Sequence, residues 1–134
     1  MIKTTTKFAL AILLLFAVSA CKSSISVDDL YGKWRYTTVM KPNAVRPDSV
    51  SSSDLRIQVP FIEFSKNGKY MIVWGGSLLS HGTFSVEGRD IWINEVLEDG
   101  STRKFPFWVS KLTDKEITFE TKGADASRVT AVKN

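Results

Sequence analysis

The sequence predicts an all-β fold: a small up-and-down antiparallel β-barrel of about eight strands, preceded by one short helical turn and an N-terminal signal-peptide helix. Three observations carry this. Beyond Gly32, large apolar residues alternate with polar ones at a period of two, as in strands that show one face to a core and the other to water. Turn signals interrupt the alternation at spacings of about ten residues. An open meander of this many strands would leave two long unpaired edges, which closure into a barrel removes.

Met1 to Lys7 carries Lys3 and Lys7 and no acidic residue, and Phe8 to Val18 is an unbroken apolar run. The run is too short to cross a bilayer comfortably and suits the apolar region of a cleaved export signal. Ser19 and Ala20 are the small residues a signal peptidase needs beside the scissile bond. Val18-Ser19-Ala20-Cys21 resembles the bacterial lipobox, and Cys21 is the one cysteine of the chain. A free thiol in an oxidising compartment is a liability that thioether lipidation removes. The expected organisation is therefore a lipoprotein signal peptide at 1–20, a lipidated tether at 21–26 beginning with Cys21, and a barrel domain at 27–134. Each buried acyl methylene contributes about 0.8 kcal/mol, so two or three palmitate-like chains hold a protein on a membrane almost permanently. Lys22, rather than an aspartate, follows the cysteine. By resemblance to enteric sorting, this points to the outer membrane, with either face open.

Once Lys3 and Lys7 leave with the signal, the net charge falls from +4 to +2. No Lys/Arg cluster with interleaved aromatics is present, so nucleic acid is not an expected partner. The remaining 114 residues suffice for one core and not for two domains.

Ser26 to Tyr31 reads as the helical turn, with Ser26 placed to cap it and Asp28 and Asp29 near its positive end. The strands follow as Lys33 to Met40, Phe61 to Ser65, Lys69 to Trp74, Gly82 to Val86, Asp90 to Val96, Arg103 to Lys111, Glu116 to Thr121 and Ser127 to Lys133. Lys66-Asn67-Gly68, Glu87-Gly88-Arg89, Glu98-Asp99-Gly100 and Thr113-Asp114 supply tight connections. The exception is Lys41 to Val59, a long segment with no evident element, expected to be a lid or mobile loop. Its Asp48-Ser49-Val50 is similar to a bacterial O-glycosylation acceptor, which would modify Ser49.

Leu30-Tyr31-Gly32-Lys33-Trp34, together with Phe64 to Tyr70, Gly82-Thr83-Phe84 and Leu112-Thr113-Asp114, resembles the lipocalin-like domains of bacterial lipoproteins over roughly residues 28–133. The resemblance implies that Gly32 and Trp34 are structural at the closed end and that the Lys41–Val59 loop lies at the open end. Two positions depart from the family. No tyrosine follows Thr113-Asp114, and Lys133 is the nearest cation where the family packs an arginine over the tryptophan.

No catalytic motif emerges, and no cofactor is implied. His81 stands alone, without a second histidine for a metal site. Ser51, Ser52, Ser53 and Asp54 have no general base at readable spacing. Trp92 and Trp108 fall on the outer face. Trp74 ends a rising strand before Gly75-Gly76, placing it at the barrel mouth with Tyr36 and Tyr70 deeper and Phe107 opposite. The expected function is thus a non-enzymatic, membrane-anchored domain binding a small apolar or amphipathic ligand through Tyr36, Tyr70, Trp74 and Phe107. The alternative is a barrel filled by its own side chains, acting as an envelope accessory or inhibitor through its loops.

Overall fold

A computed structural model describes residues 24–44, 48–123 and 125–134. The signal segment, Cys21 and the first residues of the tether lie outside the described residues. A single 3-10 turn at Val27–Asp29 leads into strand β1 (Gly32–Lys41). A two-residue strand β2 (Asp48–Ser49) and helix α1 (Ser52–Gln58) follow. The remaining strands are β3 (Phe61–Phe64), β4 (Lys69–Trp74), β5 (Ser77–Glu87), β6 (Asp90–Val96), β7 (Thr102–Leu112), β8 (Glu116–Glu120) and β9 (Arg128–Lys133). Consecutive strands from β3 to β9 pair antiparallel, and β1 pairs with both β3 and β9. That last pairing closes an eight-stranded antiparallel barrel, as the alternation required. β2 is a short addition that continues the β3-side edge of β1 through Met40↔Ser49.

Strands β1, β3, β6 and β8 bury alternate residues. Trp34 and Tyr36 of β1, Ile62 and Phe64 of β3, Ile91 and Ile93 of β6, and Ile117 and Phe119 of β8 form one interior. At roughly 1.5–3 kcal/mol for each large apolar side chain removed from water, this interior is the main source of stability in a chain that can form no internal disulfide.

At the closed end, Trp34 is fully buried and its indole N–H donates to Leu30 O at 2.8 Å. Lys133 Nζ lies 5.0 Å over the Trp34 ring. Lys133 therefore supplies the cation–aromatic contact at this end, the role for which the sequence offered it as the nearest cation. Gly32 gives that side chain room, since a Cβ there would stand 3.0 Å from Lys133 Cε. Ile25 N donates to Gly88 O, fixing the end of the tether against the β5–β6 turn at this same end.

Three expectations need correction. The Lys41–Val59 segment contains α1 as well as β2. Ser51 caps the helix by accepting from Asp54 N at 3.2 Å, and Leu55 alone among its residues enters the core. A helix of two turns with one buried residue leaves no periodic signal, which is why it reads as loop. The turn at Val27–Asp29 forms, yet the Ser26 side chain makes no capping bond. A 3-10 turn this short closes on backbone bonds alone, from Asp29 N to Ser26 O and Leu30 N to Val27 O. Finally, β5 begins at Ser77 rather than Gly82. Gly75 and Gly76, at φ 60° and 78°, make a two-residue turn with Trp74 opposite Ser77, so the hairpin extends further than its polar tip suggested.

Candidate functional site at the open end

Strand direction places four connections together: the Gly75-Gly76 turn, the β6–β7 and β8–β9 loops, and the segment carrying α1. Of the sequence candidates, Trp74 stands here on β4, half-buried, with its ring edge-on to Tyr36 at 6.3 Å. Tyr36 meets Phe119 at 6.2 Å, Phe119 meets Phe107 at 4.9 Å, and Phe107 meets Phe105 at 5.4 Å. Trp74, Tyr36 and Phe107 are thus joined through Phe119 into one aromatic run across the interior. The run packs rather than lines space, because Tyr36, Phe107 and Phe119 are all buried.

Tyr70 belongs to a different group. Its hydroxyl lies 2.8 Å from Ser80 Oγ, Ser80 Oγ donates to Glu95 Oε2 at 2.5 Å, and Arg103 Nη2 donates to Glu95 Oε1 at 2.7 Å. The chain has a direction. Ser80 commits its single proton to Glu95, so it accepts from Tyr70. Burial pushes the Tyr70 phenol up; the Ser80 bond pulls it back, the Glu95 charge adds to the rise and Arg103 opposes it. Burial also holds Tyr36 protonated far above the ordinary tyrosine range, with Tyr70 adding to the effect.

Ser80, Glu95 and Arg103 were not foreseen as site residues. The signal was present: Ile91-x-Ile93-x-Glu95 and Arg103-x-Phe105-x-Phe107 each put a charge in phase with an apolar inner face. A charge at an inward position needs a partner, and these two residues face each other directly across β6 and β7.

Other candidates lie elsewhere. His81 is exposed on β5, and Asp28 and Asp29 are exposed on the 3-10 turn. Ser49 is exposed on β2. Trp92 is half-buried on the outer wall under Lys104 Nζ, 5.4 Å from its ring, and Trp108 is 38% exposed. No group of three or more His, Cys, Asp or Glu side chains fit to hold a metal occurs among the described residues. A cleft of about 390 Å³ opens beside the aromatic run, lined by Arg103, Lys104, Phe105, Pro106, Thr121 and Lys122.

These features define a lipocalin-like barrel with an aromatic inner wall and a polar chain at its open end. Solved structures carry the same fold. A lipocalin-like protein from Bacteroides uniformis superposes with a TM-score of 0.57 at 21% identity, covering 79% of this chain and 99% of that one. An uncharacterized protein from Bacteroides eggerthii gives 0.56 at 19% identity, covering 78% and 99%. No protein-family model and no curated protein matches the chain.

Proposed function

We propose that this protein is a lipoprotein, anchored by lipid on Cys21 to the outer membrane, whose lipocalin-like barrel binds a small apolar or amphipathic ligand without chemical conversion. The observation that carries the ligand reading is the two-sided inner wall at the open end. Trp74 and Phe105 present half-buried aromatic surface over the packed Tyr36, Phe107 and Phe119, and Tyr70, Ser80, Glu95 and Arg103 supply polar groups already committed to one another. An apolar lining with a few fixed polar groups is the usual composition of a small-molecule site. A ligand would make its first contact with Trp74 at the rim and enter by displacing the rings packed beneath it.

A second reading has its own support. Ile57, Val59, Leu78, Leu79, Val96 and Leu97 are exposed around α1, the β4–β5 hairpin tip and the end of β6. Exposed apolar surface concentrated at one rim is a feature of protein-contact sites. It favours an envelope accessory or inhibitor with a filled barrel.

Native mass spectrometry of protein purified from its own membrane separates these readings. The expected species starts at Cys21, carries a diacylglyceryl group and holds a small ligand that Trp74→Ala releases. A chain that retains nothing, and whose tryptophan emission shows no saturable change with apolar probes, would leave the filled-barrel reading in place. An unmodified Cys21 would remove the anchor.

A further inference from the structure

β7 outruns its neighbour. It pairs with β6 from Trp108 up to Thr102, but its last partner on β8 is Glu120, opposite Trp108. From Thr102 to Phe107, one edge of β7 has no strand partner among the described residues. A comparable gap where β1 parts from β3 is covered by α1, with Leu55 inserted and Gln58 O accepting from Gly75 N at 2.8 Å. The opening beside β7 has no such cover among the described residues. The cleft of about 390 Å³ occupies it.

Both faces of β7 contribute to that cleft. Arg103 and Phe105 come from the inner face, since they stack on each other and Phe105 stacks on buried Phe107. Lys104 and Pro106 come from the outer face, and Thr121 and Lys122 close the far side. The cleft therefore lies in the gap that the unpaired edge of β7 leaves beside β8, with residues of both faces at its border.

Its charge is one-sided. Lys104 and Lys122 border it as the cations outside ion pairs among the described residues, while Arg103 is paired with Glu95 and Glu120 with Arg128. Both lysines are exposed. The floor is apolar, made by Phe105 and Pro106, and behind it Phe105 packs on Phe107 and Phe107 on Phe119.

We propose that this side portal is where the ligand docks, and that the ligand is an amphiphile with an anionic head and a single apolar chain. The head sits on the cationic lip, and the chain lies over Phe105 and enters the barrel between β7 and β8. This rests on the ligand-binding reading and adds to it a route and a charge. The head can be a carboxylate or a phosphate monoester, because exposed cations serve both.

The test uses residues 24–134, which contain the closed barrel and its whole core. Dodecanoate, dodecyl phosphate and dodecanol are titrated below their aggregation limits by calorimetry, against wild type and a Lys104→Ser/Lys122→Ser double variant. Both substitutions fall on exposed residues, so folding is retained. The expected result is that the two anions bind roughly fivefold or more tightly than dodecanol, and that the double variant or high salt removes this preference with dodecanol unchanged. The order of the two anions then reports the head group. Equal binding of all three probes, or anion binding untouched by the double variant, overturns the portal while leaving barrel binding intact. No binding of any probe overturns both.

Discussion

Replacing Trp34 by phenylalanine tests the closed end most directly. Trp34 is fully buried, and its indole N–H donates to Leu30 O at 2.8 Å. Phenylalanine retains a ring but removes the donor, leaving a buried carbonyl unpaired at a cost of about 1–3 kcal/mol. The smaller ring also leaves a gap in the packing worth about 1 kcal/mol more. Lys133 loses part of its contact as well, since the indole is the better cation acceptor. The total is about 3 kcal/mol, a fall in Tm of about 10 °C for a domain of this size. Urea unfolding followed by far-UV circular dichroism measures it without relying on the altered fluorophore. Lys133→Ala alone should cost about 0.5–1 kcal/mol, and less in the Trp34→Phe background. Lys133→Arg should be neutral or mildly stabilising. A Trp34→Phe protein within 1 kcal/mol of wild type would refute the assignment of the Trp34–Leu30–Lys133 cluster as the closed-end lock.

Three further outcomes follow from single positions. Gly82→Ala puts a Cβ 2.0 Å from Asn94 O, a backbone atom of the neighbouring strand, so β5 and β6 must separate; thermal melts should show a loss of about 1–3 kcal/mol, and an unchanged Tm sinks the close-approach argument. Val59 sits at φ 45° with a β-branched side chain, half exposed after α1, so Val59→Gly should stabilise by about 1 kcal/mol in the same assay, contrary to the usual effect of adding glycine. Tyr36 and Tyr70 both hold their protons more tightly folded than unfolded. The stability this confers is complete below the ordinary tyrosine pKa of 10.0 and is lost as pH rises beyond it, so urea midpoints should fall above pH 10 and fall less in Tyr36→Phe; an identical alkaline slope in both proteins removes burial of Tyr36 as the cause.

The barrel was legible because its information is periodic and local. Trp34/Tyr36, Ile91/Ile93 and Ile117/Phe119 alternate cleanly, and Asn67-Gly68 and Gly88 mark their turns. What escaped the sequence depends on non-local pairing or on a single contact. α1 has one buried residue, Leu55, and Glu95 meets Ser80 only after β5 and β6 come into register. The extra length of β7 over β8, which leaves the cleft beside it, is a relation between two strands that neither strand's composition contains. Lys133 is a milder case. Its position at the end of the last strand is plain in the sequence, but whether a lysine reaches the Trp34 ring depends on the register of β9 against β1, where Trp34 and Lys133 are direct partners.

The proposed anchor and the observed barrel combine into an orientation. Four residue steps separate Cys21 from Ile25, and at about 3.5 Å each they reach about 14 Å from the bilayer surface. Ile25 is hydrogen-bonded to Gly88 at the closed end. The closed end is then held at the membrane, and the portal and apolar rim sit higher on the barrel wall, presented to the aqueous side. A ligand would reach the portal from that side or from a facing surface, and the rim residues Leu78 and Leu79 would meet partners rather than the anchoring bilayer. Energy transfer in lipidated protein on vesicles tests this geometry. A donor on Asp114→Cys marks the closed end, one on Glu98→Cys marks the open end, and the bilayer carries the acceptor; both native residues are exposed. Transfer should be clearly stronger from position 114. Equal or reversed transfer means that the barrel lies on its side or inverts. The apolar rim would then face lipid, and the membrane itself would become its occupant.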